Sequence, residues 1–405
     1  MKASWHMQAL LWATATALVA RDPEPYPYKP CTGDYCYDVS SLEPRFFPEL
    51  GSQRLQISYG PFTTPPSQEN NGHSTTYFRT NPPCYDCYLT AIKATLQHPN
   101  GTPANTNTSL WLHHVVLMNL ARSSTTCLDG AEIIFASGNE RTEANISLDG
   151  TIPAGYLISP HDLLFIFPEL INTAHVPQDA IVVIDYEFVP LSESSVEAGF
   201  KKVTPIWLDL DGTCSLNAGA VPVPVPKGVV GDVFSLEMEP RWRSDVSGEV
   251  VFVMGHVHDG GTGVEVVRNG GVVCRGEARY GETEGYISGP GHDDDGEYGG
   301  HVEEKRFWRG PGKGKGKGKN RGKGKGKGKG TVPGDDDGEE PPISPRQGVH
   351  ISSISTCALP GRIEKGDEWT VKANYDFSKH APMVHGGALA PVMGISLMYV
   401  VEDGQ

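Results

Sequence analysis

Beyond its first twenty residues the sequence has no apolar run that approaches the roughly 18 residues a membrane helix needs, so no span is expected. No hydrophobic tail follows Val401, and a lipid-anchor signal is not expected either. A Walker loop, a G-x-S-x-G elbow, a dinucleotide fingerprint and an H-E-x-x-H helix are all missing. Their absence removes the familiar signatures of nucleotide binding, serine hydrolysis and zincin proteolysis. Excess positive charge is missing too. The formal net charge of -15 argues against nucleic acid or an anionic membrane as partner of the folded body.

Other features are present and point outward from the cytoplasm. Lys2 precedes an uncharged apolar stretch, Ala9 to Ala20, that ends in small residues, the form of a signal peptide over residues 1–20. Cys31, Cys36, Cys84, Cys87, Cys127, Cys214, Cys274 and Cys357 make an even set suited to disulfides in an oxidising compartment. The C-x-x-C at Cys84 and Cys87 lacks the βαβ context of a redox motif and is read as part of that framework. Sequons at Asn100, Asn107 and Asn145 lie in polar stretches suited to glycan attachment. A secreted, extracellular glycoprotein is expected.

Period-two runs such as RLQISY, SLWLHHVVLMNL, AIVVIDYEFV, EVVFVMGHVH and VMGISLMYVV read as strands. Asn269-Gly270, between GVEVVR and GVVCRG, is a type I′ hairpin signal. The fold class expected is all-β, with two tandem jelly-roll or β-sandwich domains over residues 21–190 and 203–401 joined by a linker at 191–202. The proline run VPVPVP at 221–226 fits an extended loop of the second domain, since proline cannot donate to a central ladder. Residues 291–340 carry a Gly-Lys repeat between acidic blocks, with no apolar face, and are expected to be a disordered insertion. Two readings of the tract stand side by side: a grip on a polyanion such as an acidic glycan, or a surface insertion shielded by its own acids.

Histidines carry the candidate chemistry. In GHVHDGG, strand alternation aims His256 and His258 at one point, where two imidazoles can chelate, with Asp259 either orienting a ligating ring or initiating the turn. His380, Met383, His385 and Met393 follow near the C-terminus, and a thioether added to two imidazoles is a soft set that selects copper. Met393 also shares a face with Ile395, Leu397 and Tyr399, as a core residue would. Simple pleating sends His113 and His114 to opposite faces, so both reach one metal only if the strand is bulged or twisted there. Otherwise the pair reads as buried rings satisfied by hydrogen bonds. Asp185 and Glu187 share a strand face and could form a carboxylate pair for glycoside chemistry, or simply sit on a solvated face.

The series GHVHDGG, VEVVRNGGVVC, ARYG, HISSISTC and VMGISLMYV resembles the secreted proteins related to the stress up-regulated nodulin family of plants and fungi. More distantly it is similar to the copper type II, ascorbate-dependent monooxygenases of the peptidylglycine α-hydroxylating and dopamine β-hydroxylating kind. That resemblance implies two jelly rolls, a copper site at His256, His258 and Met393 on the second, and a paired-histidine site at His113 and His114 on the first. It also implies molecular oxygen as oxidant, ascorbate as reductant and one copper relaying an electron to the other. The further first-domain histidine it implies is missing from IVVIDYEFVP; His175 lies in the preceding loop. The substrate, whether small molecule, peptide or glycan, is not specified. A non-catalytic extracellular metal-binding or interaction protein on the same scaffold is the competing expectation, since a fold does not carry its function with it.

Overall fold

The computed structural model describes residues 30–31, 33–212, 222–226, 233–288, 348–385 and 388–404. The expected signal peptide, Cys214 and the Gly-Lys tract lie outside them. Among the described residues regular structure is almost entirely β, as the alternating runs require; the single α-helix is Glu193–Glu197.

The strands form four large sheets. The first places Cys36–Leu42, Gln53–Thr64, Gln178–Pro190, Cys87–Gln97, Ala154–Ile158 and Lys201–Lys202 side by side, with Ala144–Asn145 added on Cys87–Gln97. The second runs His73–Thr75, Leu164–Asn172, Leu110–Ser123, Ala131–Gly138, with Phe78–Thr80 on Leu164–Asn172. The third, Thr204–Asp209, Gly394–Glu402, Gly248–Val257, Cys357–Ile363, and the fourth, built on Glu368–Asp376 and Gly261–Arg268, come from the C-terminal half. Arg268 pairs with Gly271 across Asn269 and Gly270, both at positive φ, as the hairpin signal predicts.

The third sheet is covered on both faces, which explains its near-continuous apolar strands. Leu397 and Tyr399 pack with the core of the first and second sheets, while Met398 and Val400 pack toward the fourth. The Tyr399 hydroxyl donates to the Ile134 carbonyl at 3.0 Å, and the Thr126 hydroxyl donates to the Trp207 carbonyl at 2.8 Å. The two halves therefore share one core at the junction of the second and third sheets. Disulfides join Cys31 to Cys36, Cys84 to Cys87 and Cys274 to Cys357, and Cys127 is also disulfide-bonded.

Candidate metal centre between the second and third sheets

His113 and His114 lie on Leu110–Ser123, beside Leu164–Asn172. Glu169 pairs with His114 and Leu170 with Leu112, which leaves His113 without an opposite residue. That extra residue is a β-bulge, and it cancels the alternation that would separate the two rings. Their centroids lie 4.1 Å apart, and both Nδ1 atoms turn to Glu169 Oε2, at 3.4 Å from His113 and 3.0 Å from His114. The other oxygen, Oε1, accepts from His73 Nδ1 at 3.2 Å.

His256 and His258 arrive from the third sheet, on one side of the chain as alternation predicts. His256 Nδ1 donates to Glu140 Oε2 at 3.0 Å, and Glu140 Oε1 accepts the Gly138 N–H at 2.8 Å. Space for His256 exists because residue 138 is glycine: a Cβ there would fall 2.5 Å from His256 Cε1. His258 Nδ1 donates to the Pro391 carbonyl at 2.9 Å.

These contacts fix the tautomers. Each Nδ1 of His114, His256 and His258 faces a carboxylate or a carbonyl, which only accepts, so the neutral ring carries its proton there and presents a lone pair at Nε2. His114 Nε2 has the other two beside it, His256 Nε2 at 3.0 Å and His258 Nε2 at 3.2 Å. Lone pairs opposed at such distances repel unless a cation lies between them. His113 adds a fourth imidazole, buried with neither ring nitrogen hydrogen-bonded, and one nitrogen each from His113, His114 and His258 lies within 4.8 Å of the others.

Protonation of His113, His114 or His258 does not relieve the crowding. Burial, aided by the neighbouring His114, lowers the His113 pKa to about 3, and burial lowers that of His114 to about 4. His258 is held well below the ordinary histidine value by burial and by His113 and His256. Burial opposes ionisation of Glu169, but the imidazoles of His113, His114 and His73 outweigh it and hold the carboxyl well below its usual range. Neutral rings around an ionised carboxylate are the form in which imidazole binds metal.

A narrow, partly open cleft lies against His114, His256 and Glu169, with Phe167, Trp207 and Ile395 among its walls.

Other expected site residues lie elsewhere or have other partners. Asp259 does not orient either ring of the H-x-H; it accepts from His350 Nδ1 at 2.7 Å and from the Ile351 N–H at 2.9 Å. The orienting groups are Glu140 and the Pro391 carbonyl, because the turn after His258 carries the Asp259 side chain toward the fourth sheet. Met393 is buried, and its backbone is bound to the Tyr375 hydroxyl, which also accepts the His258 N–H at 3.2 Å. His380 stacks on Tyr280, and His175 is exposed beside Ser67 and Gln68. Asp185 pairs with Arg54, and Glu187 is buried against Arg45, so that carboxylate pair serves the first sheet. Asn100 and Asn107 are exposed; Asn145 is half-buried and hydrogen-bonded to Asp149. His73, Glu140 and Glu169 carried no motif. The only signal for Glu169 is that it ends the alternating face Phe165, Phe167, Glu169.

No family model matches the chain. The probable copper-dependent oxygenase M1 of a Phoma species is 27% identical over 375 residues, covering 92% of this chain and 78% of that protein. The probable copper-dependent oxygenase clz3 of Cochliobolus lunatus is 27% identical over 314 residues, covering 77% of this chain and 78% of that protein.

Proposed function

We propose that the chain is a secreted copper-binding oxidoreductase that uses molecular oxygen on a substrate held where its two halves meet. The observation that carries this reading is the buried cluster of His113, His114 and His258, one nitrogen of each within 4.8 Å of the others, with His256 Nε2 3.0 Å from the hub, His114. Imidazole sets suit copper, zinc, iron and nickel alike. Copper is favoured among these by the two relatives named as probable copper-dependent oxygenases. His113, His114 and His258 would hold the ion, with His256 as a fourth imidazole and Met393 as the soft donor that favours Cu(I).

Bound copper would supply one-electron chemistry with oxygen. The chain's own residues do the rest. Glu169, Glu140 and the Pro391 carbonyl hold the ring orientations, and such outer partners set both metal affinity and ligand basicity. Phe167, Trp207 and Ile395 make the substrate side of the site apolar and restrict water. Monooxygenation that places one oxygen atom in substrate and releases the other as water needs two electrons and two protons, for which ascorbate is the reductant of choice. The resemblance implied two separate coppers; a single shared centre contains no relay between them. Extracellular location is supported by the disulfides and by the leader-like first residues.

The test is the Cu(I) stoichiometry of the purified chain beside His113→Ala/His114→Ala and His256→Ala/His258→Ala. One copper, lost with either pair, is expected, followed by ascorbate-dependent oxygen uptake. Two coppers lost independently would replace the shared centre with two sites, and no copper in any form would remove the metal reading.

A further inference from the structure

We infer that the cleft beside His114 and His256 binds an elongated apolar small molecule, with an aromatic or alkyl body and one hydrogen-bonding oxygen, laid along the strand Leu164–Asn172. Alternation puts Phe165, Phe167 and Glu169 on one face of that strand. All three are partly exposed, whereas Leu164 and Ile166, on the opposite face, are fully buried in the core. At about 3.3 Å per residue, Phe165 stands about 13 Å along the strand from Glu169. The aromatic row therefore leads from the metal centre outward, and it continues past Phe165. Tyr77, 46% exposed, stacks on the Phe165 ring with centroids 4.8 Å apart. Trp207 and Ile395 face the inner part of the row from the third sheet.

The polar inventory of this cleft is short. Glu169 is engaged by imidazoles, and His114 and His256 have their Nδ1 atoms committed. Apart from the imidazole Nε2 atoms at the inner end and the Trp207 indole, what remains is the Ser137 hydroxyl, which lines the cleft, is buried and has no hydrogen-bond partner. A peptide or sugar would bring many donors and acceptors to walls that cannot satisfy them, and each unmet buried group costs binding. An apolar body with a single hydroxyl or carbonyl meets the walls with carbon and Ser137 with oxygen. The cleft is narrow beside the imidazoles and open to solvent, so the molecule enters by one end and rests its remainder on Phe165 and Tyr77.

This inference rests on the copper reading only for what becomes of the bound molecule, and its test is independent of metal. Titration calorimetry on the copper-depleted full chain would use 4-phenylbutan-1-ol, butylbenzene, triglycine and cellobiose. Saturable binding is expected for the first two only. Phe167→Leu and Tyr77→Ala should weaken both by roughly threefold to tenfold through lost apolar contact. Ser137→Ala should weaken the alcohol about fivefold and leave butylbenzene unchanged, the signature of one hydrogen bond. Tyr77 is exposed, so its variant folds whatever happens at Phe167. Tighter binding of triglycine or cellobiose, apolar binding indifferent to Phe167→Leu and Tyr77→Ala, or no binding of either apolar probe would each overturn the assignment. Loss of copper stoichiometry with probe binding intact would overturn the copper reading instead.

Discussion

The two histidine pairs reach one point by opposite local rules. His256 and His258 need only the ordinary alternation of a strand, whereas the adjacent His113 and His114 need that alternation broken, and the bulge opposite Glu169 breaks it. Their support differs as well. Glu169, on the strand beside His114, holds that ring from within the N-terminal half, while His256 is held by Glu140 of the opposite half and fits only because residue 138 is glycine. The first pair is thus organised by its own sheet. The second is completed only by docking of the third sheet on the second, so a metal held by both pairs would be coupled to that docking.

The sharpest way to break this comparison is to remove the hub. His114→Ala deletes the one ring that touches both members of the other pair, and is expected to weaken Cu(I) binding more than 100-fold in a chelator competition titration. His256→Ala leaves one nitrogen each from His113, His114 and His258 within 4.8 Å of the others, and should cost far less. Equal losses would mean that the pairs contribute symmetrically. Next in size, Glu169→Gln releases up to three imidazoles and should weaken copper by about 10–100-fold, the range for loss of an outer partner. Glu140→Gln frees one ring and belongs at the bottom of that range; a larger effect than Glu169→Gln would reverse the asymmetry.

Gly138→Ala tests the docking step. Its Cβ would lie 2.5 Å from His256 Cε1 and 2.8 Å from the His113 carbonyl oxygen. Overpacking of this kind costs about 1–3 kcal/mol, so a lowered melting temperature should accompany a copper affinity like that of Glu140→Gln. Unchanged values in both measurements would show that His256 does not depend on this close approach.

Much of this was legible beforehand, and what was not has a physical cause. The all-β class, the Asn269-Gly270 hairpin and the shared direction of His256 and His258 follow from period-two patterning and turn chemistry, which are local. The meeting of His114 with His256 and His258 is not local: it is set by which sheet faces pack together, and alternation says only that a face is apolar, not what covers it. A bulge leaves no mark in residue types either, so the condition for His113 and His114 to act together was visible but its fulfilment was not. Glu140 and Glu169 resemble any acid on a solvated face until imidazoles are brought to them. Asp259 illustrates the converse error, because adjacency to His258 suggested a partner while the turn aims it at His350.

Acid should separate the two halves of the comparison from the rest of the fold in the metal-free chain. Buried His113 and His114, with pKa values lowered to about 3 and about 4, remain neutral while the same residues in the unfolded chain titrate near 6.5. Between those values the unfolded state binds more protons, so stability is complete above about pH 6.5 and declines as pH falls through that window. From pH 7 to pH 6 the loss should be on the order of 0.5–1 kcal/mol per ring, read as a falling midpoint in chemical denaturation. A His114→Ala variant should show a shallower dependence, and an identical slope would remove buried neutral histidine as its source.

The smallest effect is expected at Met393, and it bears on which half chooses the metal. The Tyr375 hydroxyl binds both the Met393 backbone and the His258 N–H, which ties the Met393 segment to the second pair. Met393→Leu conserves volume and should cost the fold less than about 1.5 kcal/mol. Sulfur matters to soft Cu(I) and little to Zn(II), so the variant should weaken Cu(I) by a fewfold and leave Zn(II) affinity unchanged. Equal loss of both metals would mean that Met393 acts by packing His258 into place. No loss of either would leave metal choice to the four imidazoles, and the difference between the two pairs would then be one of support and not of chemistry.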